Sequence, residues 1–171
     1  MPATYEPIAT ATIATDGQGW DFTSIPSTYT DLRLVVYGRG TFASQSFGGY
    51  GRINNDSGNN YSYTRLFSDG SVQSQRSTNE NTFSIGELPS ANATANIFGQ
   101  TVIDFMNYSN TTTYKTILSR TSTIVSTAYT FTYVNLWRNT AAINRITFGT
   151  AGGFLSMKAG SVATLYGIKA A

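Results

Sequence analysis

Apolar and polar residues alternate with a period of two along most of this chain, the pattern of strands with one face buried. From Asp31 to Tyr37, Leu32, Leu34 and Val36 fall on one face and Arg33, Val35 and Tyr37 on the other. Tyr61 to Phe67 sets Tyr61, Tyr63, Arg65 and Phe67 against Ser62, Thr64 and Leu66, and Tyr129, Phe131 and Tyr133 form an aromatic ladder at the same spacing. Gly99 to Tyr108 places Val102, Asp104, Met106 and Tyr108 opposite Ile103 and Phe105. No window carries the i, i+3, i+4, i+7 stripe of an amphipathic helix. The spacing predicts strands near Tyr5–Ala14, Asp31–Tyr37, Gly49–Asn54, Tyr61–Phe67, Val72–Arg76, Thr82–Leu88, Gly99–Tyr108, Tyr114–Arg120, Thr127–Leu136, Ala142–Phe148 and Ser161–Ile168. Gly, Pro, Asn and Ser separate them as turn residues do. Asp16-Gly17-Gln18-Gly19 is one such turn, and Pro89 ends a strand because proline has no N–H to give a ladder.

Short strands at even spacing, without a helical crossover, predict an all-β fold, an antiparallel β-sandwich of jelly-roll type. The 171 residues suit one domain, 1–171, and a chain of this size buries roughly 70% of its unfolded surface. Two segments stand apart. Residues 1–20 are an N-terminal arm candidate as well as holding the first strand. The polar stretch 68–81 is the most loop-like of the chain and a candidate exposed arm that orders against a neighbour, although Val72–Arg76 within it has strand character. No fixed-period repeat appears, which disfavours a solenoid or propeller.

Composition narrows the chemistry. Charged residues make up 12% of the chain, about half the ~25% usual in globular domains. Their place is taken by 26 Thr, 18 Ser and 13 Asn, so the surface is hydrated through hydroxyls and amides. That suits a protein packed against others. With no His there is no Ser-His-Asp triad and no imidazole base or ligand. With no Cys there is no thiolate nucleophile, structural zinc site or disulfide framework. The net charge of +2 is spread thinly, and no basic run lies ready to neutralise a row of phosphates, which argues against specific nucleic-acid binding. Met1–Glu6 has neither the basic nor the apolar region of a signal peptide. The longest apolar run, Leu34-Val35-Val36-Tyr37, is far short of the ~20 residues of a membrane helix. A soluble protein without membrane contact is expected, together with no cofactor and no metal.

Three groups of residues are candidates for chemistry. Asn54-Asn55-Asp56-Ser57-Gly58-Asn59-Asn60 has the oxygen-rich look of a calcium loop, but calcium wants several carboxylates and this stretch supplies one. A tight turn built from Asn, Asp and Gly accounts for it with fewer assumptions. The carboxylates are Glu6, Asp16, Asp21, Asp31, Asp56, Asp69, Glu80, Glu87 and Asp104, and a glycosidase needs two of them facing across a cleft. Most fall at turns or strand starts. Asp104 sits between Ile103 and Phe105 in a strand, where pairing with an arginine or capping a loop is its simplest role. Tyr50, Tyr61, Tyr63, Tyr108, Trp20 and Trp137 are candidate platforms for stacking on sugars, with burial in the core or in a subunit interface as the simpler reading. Sequons such as Asn60-Tyr61-Ser62 and Asn107-Tyr108-Ser109 follow from the abundance of Asn, Ser and Thr. The chain is not expected to be an enzyme.

Several segments resemble one family. Phe22-Thr23-Ser24-Ile25-Pro26-Ser27-Thr28-Tyr29-Thr30-Asp31-Leu32 is similar to an opening F-x-x-I-P-x-x-Y-x-x-L element of tailed-phage, cyanophage-like virion structural proteins. Arg52-Ile53-Asn54-Asn55-Asp56-Ser57-Gly58-Asn59-Asn60-Tyr61-Ser62 resembles a second element, and Asp104 to Thr111 with Tyr114-Lys115-Thr116 a third. Trp137 to Ile143 and Leu165-Tyr166-Gly167-Ile168-Lys169 also match, so the ordered set spans residues 22–169. The chain departs from the pattern at Asn139 and at Asn135-Leu136. The resemblance implies a structural role with no catalytic residues. It points to a capsid decoration (cement) protein on the outer shell of the virion, assembled in the host cytoplasm, with the major capsid protein as partner. Cement proteins of this kind commonly form homotrimers. The alternative within the family is a tail-fibre or receptor- or glycan-binding module. Pro26 and Gly58 are expected to fix turns, Tyr29 and Leu32 to face the core, and Leu165 and Ile168 to seal the last strand.

Overall fold

Threonine, valine, isoleucine and the aromatics, which fit a pleated half-buried surface, carry almost every regular element. The computed structural model describes residues 4–68, 70–149 and 157–169. Residues 1–3 of the arm candidate and Asp69 of the 68–81 stretch therefore lie outside the described residues. Twelve strands form among those described: β1 (Tyr5–Thr12), β2 (Trp20–Phe22), β3 (Asp31–Gly38), β4 (Ser46–Ile53), β5 (Tyr61–Ser68), β6 (Val72–Glu80), β7 (Phe83–Pro89), β8 (Gly99–Phe105), β9 (Lys115–Ile124), β10 (Ala128–Trp137), β11 (Ile146–Phe148) and β12 (Val162–Ile168). Eight pair in the order β1-β12-β3-β8-β9-β10-β5-β6, and four in the order β2-β11-β4-β7. Every ladder is antiparallel. The chain is all-β, with two sheets arranged as a sandwich.

Alternation decides which side of the large sheet is covered. Leu32, Leu34 and Val36 of β3, Ile103 and Phe105 of β8, Ile117 of β9, Trp137 of β10 and Leu165 of β12 all point inward and are fully buried. They meet Trp20, Phe22, Ile53, Phe83, Ile85, Ile146 and Phe148 from the small sheet in one cluster. Phe83 packs edge-on to Phe105 across the sandwich, 5.8 Å between centroids, and Trp20 stacks on Phe148 at 5.6 Å. Each such side chain contributes roughly 1.5–3 kcal/mol by leaving water. Leu32 and Leu165 are fully buried. Tyr29 is partly buried, packed on the core with its ring against Gly167, where a Cβ would have no room. Ile168 is half-buried at the end of its strand.

The strands read inside the two segments set apart are both present, and the loop reading is corrected for residues 72–80. They form β6, laddered to β5 from Ser68↔Val72 to Tyr61↔Glu80. An edge strand with both faces wet needs only backbone hydrogen bonds, so polar residues serve it. The described part of the N-terminal arm is likewise in register, β1 running along β12 from Tyr5↔Ile168 to Thr12↔Val162. Short β2, flanked by glycine, carries too few residues to show a period. Tyr108 leaves the face predicted for it. Asn107 adopts a left-handed φ of 50° just beyond β8, which turns Tyr108 into the core, fully buried.

The sheets are also joined by polar side chains. Strand β7 is an edge of the small sheet, and an edge leaves backbone groups unpaired. Asn135 of β10, 1% exposed, supplies them: its Nδ2 donates to Ser84 O and its Oδ1 accepts from Ser84 N–H, both at 2.9 Å. Ser119 Oγ donates to Ser84 O at 3.3 Å, and Thr121 Oγ1 donates to Ile85 O. This contact demands close approach. Gly86, opposite a register shift in β4, has φ of 112°, and a Cβ there would lie 2.8 Å from Thr121 Oγ1. Only glycine satisfies both conditions.

Candidate interaction surface

Each described carboxylate is tied to a neighbour. Asp104 accepts from Arg33 Nε at 2.5 Å and from Arg33 Nη2 at 3.1 Å, with Arg120 at 3.5 Å. These bonds hold the Arg33 guanidinium above its usual value. Asp21 takes both arms of Arg145 (2.8 and 2.6 Å). Glu6 accepts from Lys169 Nζ (2.9 Å) and Tyr29 Oη (3.1 Å), and these hydrogen bonds keep its carboxyl below the ordinary value. Asp16 accepts from Ala159 N–H, Asp31 from Asn107 N–H, Glu87 from Ser46 Oγ and Glu80 from Ser77 Oγ. Asp69 lies outside the described residues.

The 54–60 segment is a turn knotted around Asp56. Its Oδ1 accepts from Gly58 N–H (2.9 Å), both oxygens accept from Asn60 Nδ2, and Oδ2 accepts from buried Trp137 Nε1 at 2.7 Å. Burial works to raise this carboxyl, and the hydrogen bonds from Trp137, Asn60 and Gly58 outweigh it and hold it low. Asn54 and Asn55 both take left-handed φ, 51° and 58°. Asp56 thus anchors a loop to the indole of the neighbouring strand. Among the described residues no cluster of three potential metal ligands forms.

Four of the six candidate aromatic platforms are core residues: Trp20, Trp137, Tyr61 and Tyr108 are at most 2% exposed. Tyr61 Oη contacts the Ile53 backbone, and desolvation pushes its hydroxyl far up. Tyr63 is half-buried and Tyr50 exposed. Period-two alternation names a face without saying which face is inside, so in the sequence these buried rings look the same as exposed ones.

Two buried cations carry no sequence signal. Arg39, 4% exposed, donates to the carbonyls of Thr94, Ile97, Ala91 and Ala93. Lys115, 1% exposed, donates to Thr113 O and Thr140 O, and its ammonium is pushed down by desolvation. Both hold irregular chain in place through charge-assisted bonds to carbonyls.

The remaining feature is the outer face of the eight-stranded sheet. Register partners build two neighbouring rows across it: Val35↔Val102↔Arg120↔Thr132↔Leu66 and Arg33↔Asp104↔Leu118↔Val134↔Thr64. Diagonal neighbours on a sheet face are within reach of each other. Val35 pairs directly with Val102 and Leu118 with Val134, and Leu66 stands diagonal to Val134, so an apolar side chain recurs on each of β3, β8, β9, β10 and β5 as a staggered band. Val134 is 49% and Leu66 54% exposed. A solvated sheet face is ordinarily polar, and a contiguous apolar patch marks an interaction site. The Arg33–Asp104–Arg120 cluster stands within the same two rows, so the apolar positions run around one carboxylate and two guanidinium groups. No protein-family model, curated protein or solved structure matches this chain.

Proposed function

We propose that this jelly-roll-like sandwich is a structural protein of a tailed-phage virion, a capsid decoration (cement) subunit that binds the major capsid protein lattice on the outside of the shell. The observation that carries the reading is the apolar band on the uncovered face of the eight-stranded sheet. The ordered resemblance over residues 22–169 supplies the virion context, and the use of the described carboxylates as structural anchors favours a binding role over a catalytic one. The mechanism is adhesive. Each copy buries its outer sheet face on the lattice, the copies associate as homotrimers, and many modest contacts add through multivalency. Binding should depend weakly on salt, since charged residues make up only 12% of the chain and leave little to screen.

The test is co-sedimentation with expanded shells stripped of the protein. Leu66→Lys with Val134→Lys alters two exposed side chains, where substitutions usually move stability by about 0.5 kcal/mol or less. The pair should fold as the parent does and bind shells at least tenfold more weakly. Equal binding by the parent and the double variant would contradict the proposal.

A further inference from the structure

At one end of the outer face, one row beyond the apolar band, a shallow groove of about 530 Å3 crosses four strands. Tyr37, Gln100, Ser122 and Thr130 are successive register partners on β3, β8, β9 and β10, so they stand in one row on one face. With neighbouring strands about 4.8 Å apart, the row spans roughly 14 Å. Its step is close to the length of one pyranose ring in an extended chain. Tyr37 is 51% exposed and stacks on Phe98 with centroids 5.2 Å apart and planes 16° from parallel, so one tyrosine face is backed and held. Gln100, Ser122 and Thr130 are exposed, and their side chains hydrogen-bond no other described residue. None of the described lining residues is charged.

We propose that this groove binds a neutral, extended oligosaccharide of about three rings. A pyranose has an apolar C–H face and a rim of hydroxyls. The C–H face suits an aromatic platform, whose π-face is negative. The rim suits an amide and hydroxyls that both donate and accept. An anionic polysaccharide would require a cation for charge-assisted pairing, and the described lining offers none. The proposal concerns the isolated chain and stands independently of shell binding.

Isothermal titration of the full chain with cellotriose, maltotriose and N,N′,N″-triacetylchitotriose, beside a sulfated heparin-derived oligosaccharide, tests it. Saturable binding of at least one neutral trisaccharide is expected, with Kd of about 0.1–1 mM, a range ordinary for a shallow site. Tyr37→Ala and Gln100→Ala each change an exposed residue and should weaken it at least tenfold, with melting unchanged. Tyr50→Ala, on the other sheet, should leave it intact. Should Tyr37→Ala fold poorly, Gln100→Ala carries the comparison. No saturation by any neutral trisaccharide at about 10 mM, binding untouched by the groove variants, or preference for the sulfated ligand would overturn the proposal.

Discussion

Replacing Asn135 with alanine tests how the two sheets are held together. Its carboxamide makes two 2.9 Å hydrogen bonds to Ser84. Truncation strips the Ser84 N–H of its side-chain partner, while Ser84 O keeps Ser119 Oγ at 3.3 Å. A buried orphan donor costs about 1–3 kcal/mol and a lost but replaceable bond about 0.5–1.5. The sum is roughly 2–4 kcal/mol, a large share of the ~5–15 kcal/mol that stabilises a domain. For a chain of this size that lowers Tm by roughly 5–15 °C. Asn135→Asp sharpens the reasoning. The carboxylate still accepts from Ser84 N–H but opposes Ser84 O, so it should be the worse variant at neutral pH. It should recover as acid protonates it and restores a donor. Differential scanning calorimetry across pH measures both. Asn135→Ala within about 1 kcal/mol of the parent, or Asn135→Asp without recovery in acid, would show that β7 does not depend on this side chain.

Arg39→Ala leaves four carbonyls of the 91–97 segment without their guanidinium and should cost about 2–4 kcal/mol; limited proteolysis should then cut that segment first. Asp56 has a folded pKa below its unfolded one, so its stabilising effect is present above the unfolded value of about 3.9 and is lost as pH falls through the folded value. Trp137 emission should report loosening of the 54–60 turn in that acid window, and Asp56→Asn should remove that acid dependence. The protein should be a homotrimer by multi-angle light scattering; a monomeric mass at high concentration would count against trimeric cement.

Strands with one clean buried face are legible in the amino-acid sequence. Leu32, Leu34 and Val36 of β3, and Phe131 and Tyr133 of β10, announce themselves by alternation because water separates apolar from polar with the period of the pleat. Strand β6 is ambiguous because its stability comes from backbone pairing at an edge, to which side-chain hydropathy is blind. The inward row of Thr101, Ser119, Thr121 and Asn135 looks like surface in the sequence. Its polarity makes sense only once β7 lies against it. Arg39 and Lys115 are unreadable for the same reason, their partners being carbonyls that any sequence possesses. The interaction face is half visible. Leu66 and Leu118 stand out among hydroxyls, but their union with Val134, Val102 and Val35 depends on the order in which distant strands pair.

Where the protein sits on its parent particle, and in how many copies, tests the central proposal most directly. A cryo-EM map of the virion should show hundreds of copies clustered as trimers on the shell, with the band of Val35, Val102, Leu118, Val134 and Leu66 turned onto the major capsid protein. A few copies confined to the tail, with the shell bare, would contradict the cement reading and favour a tail-fibre module instead.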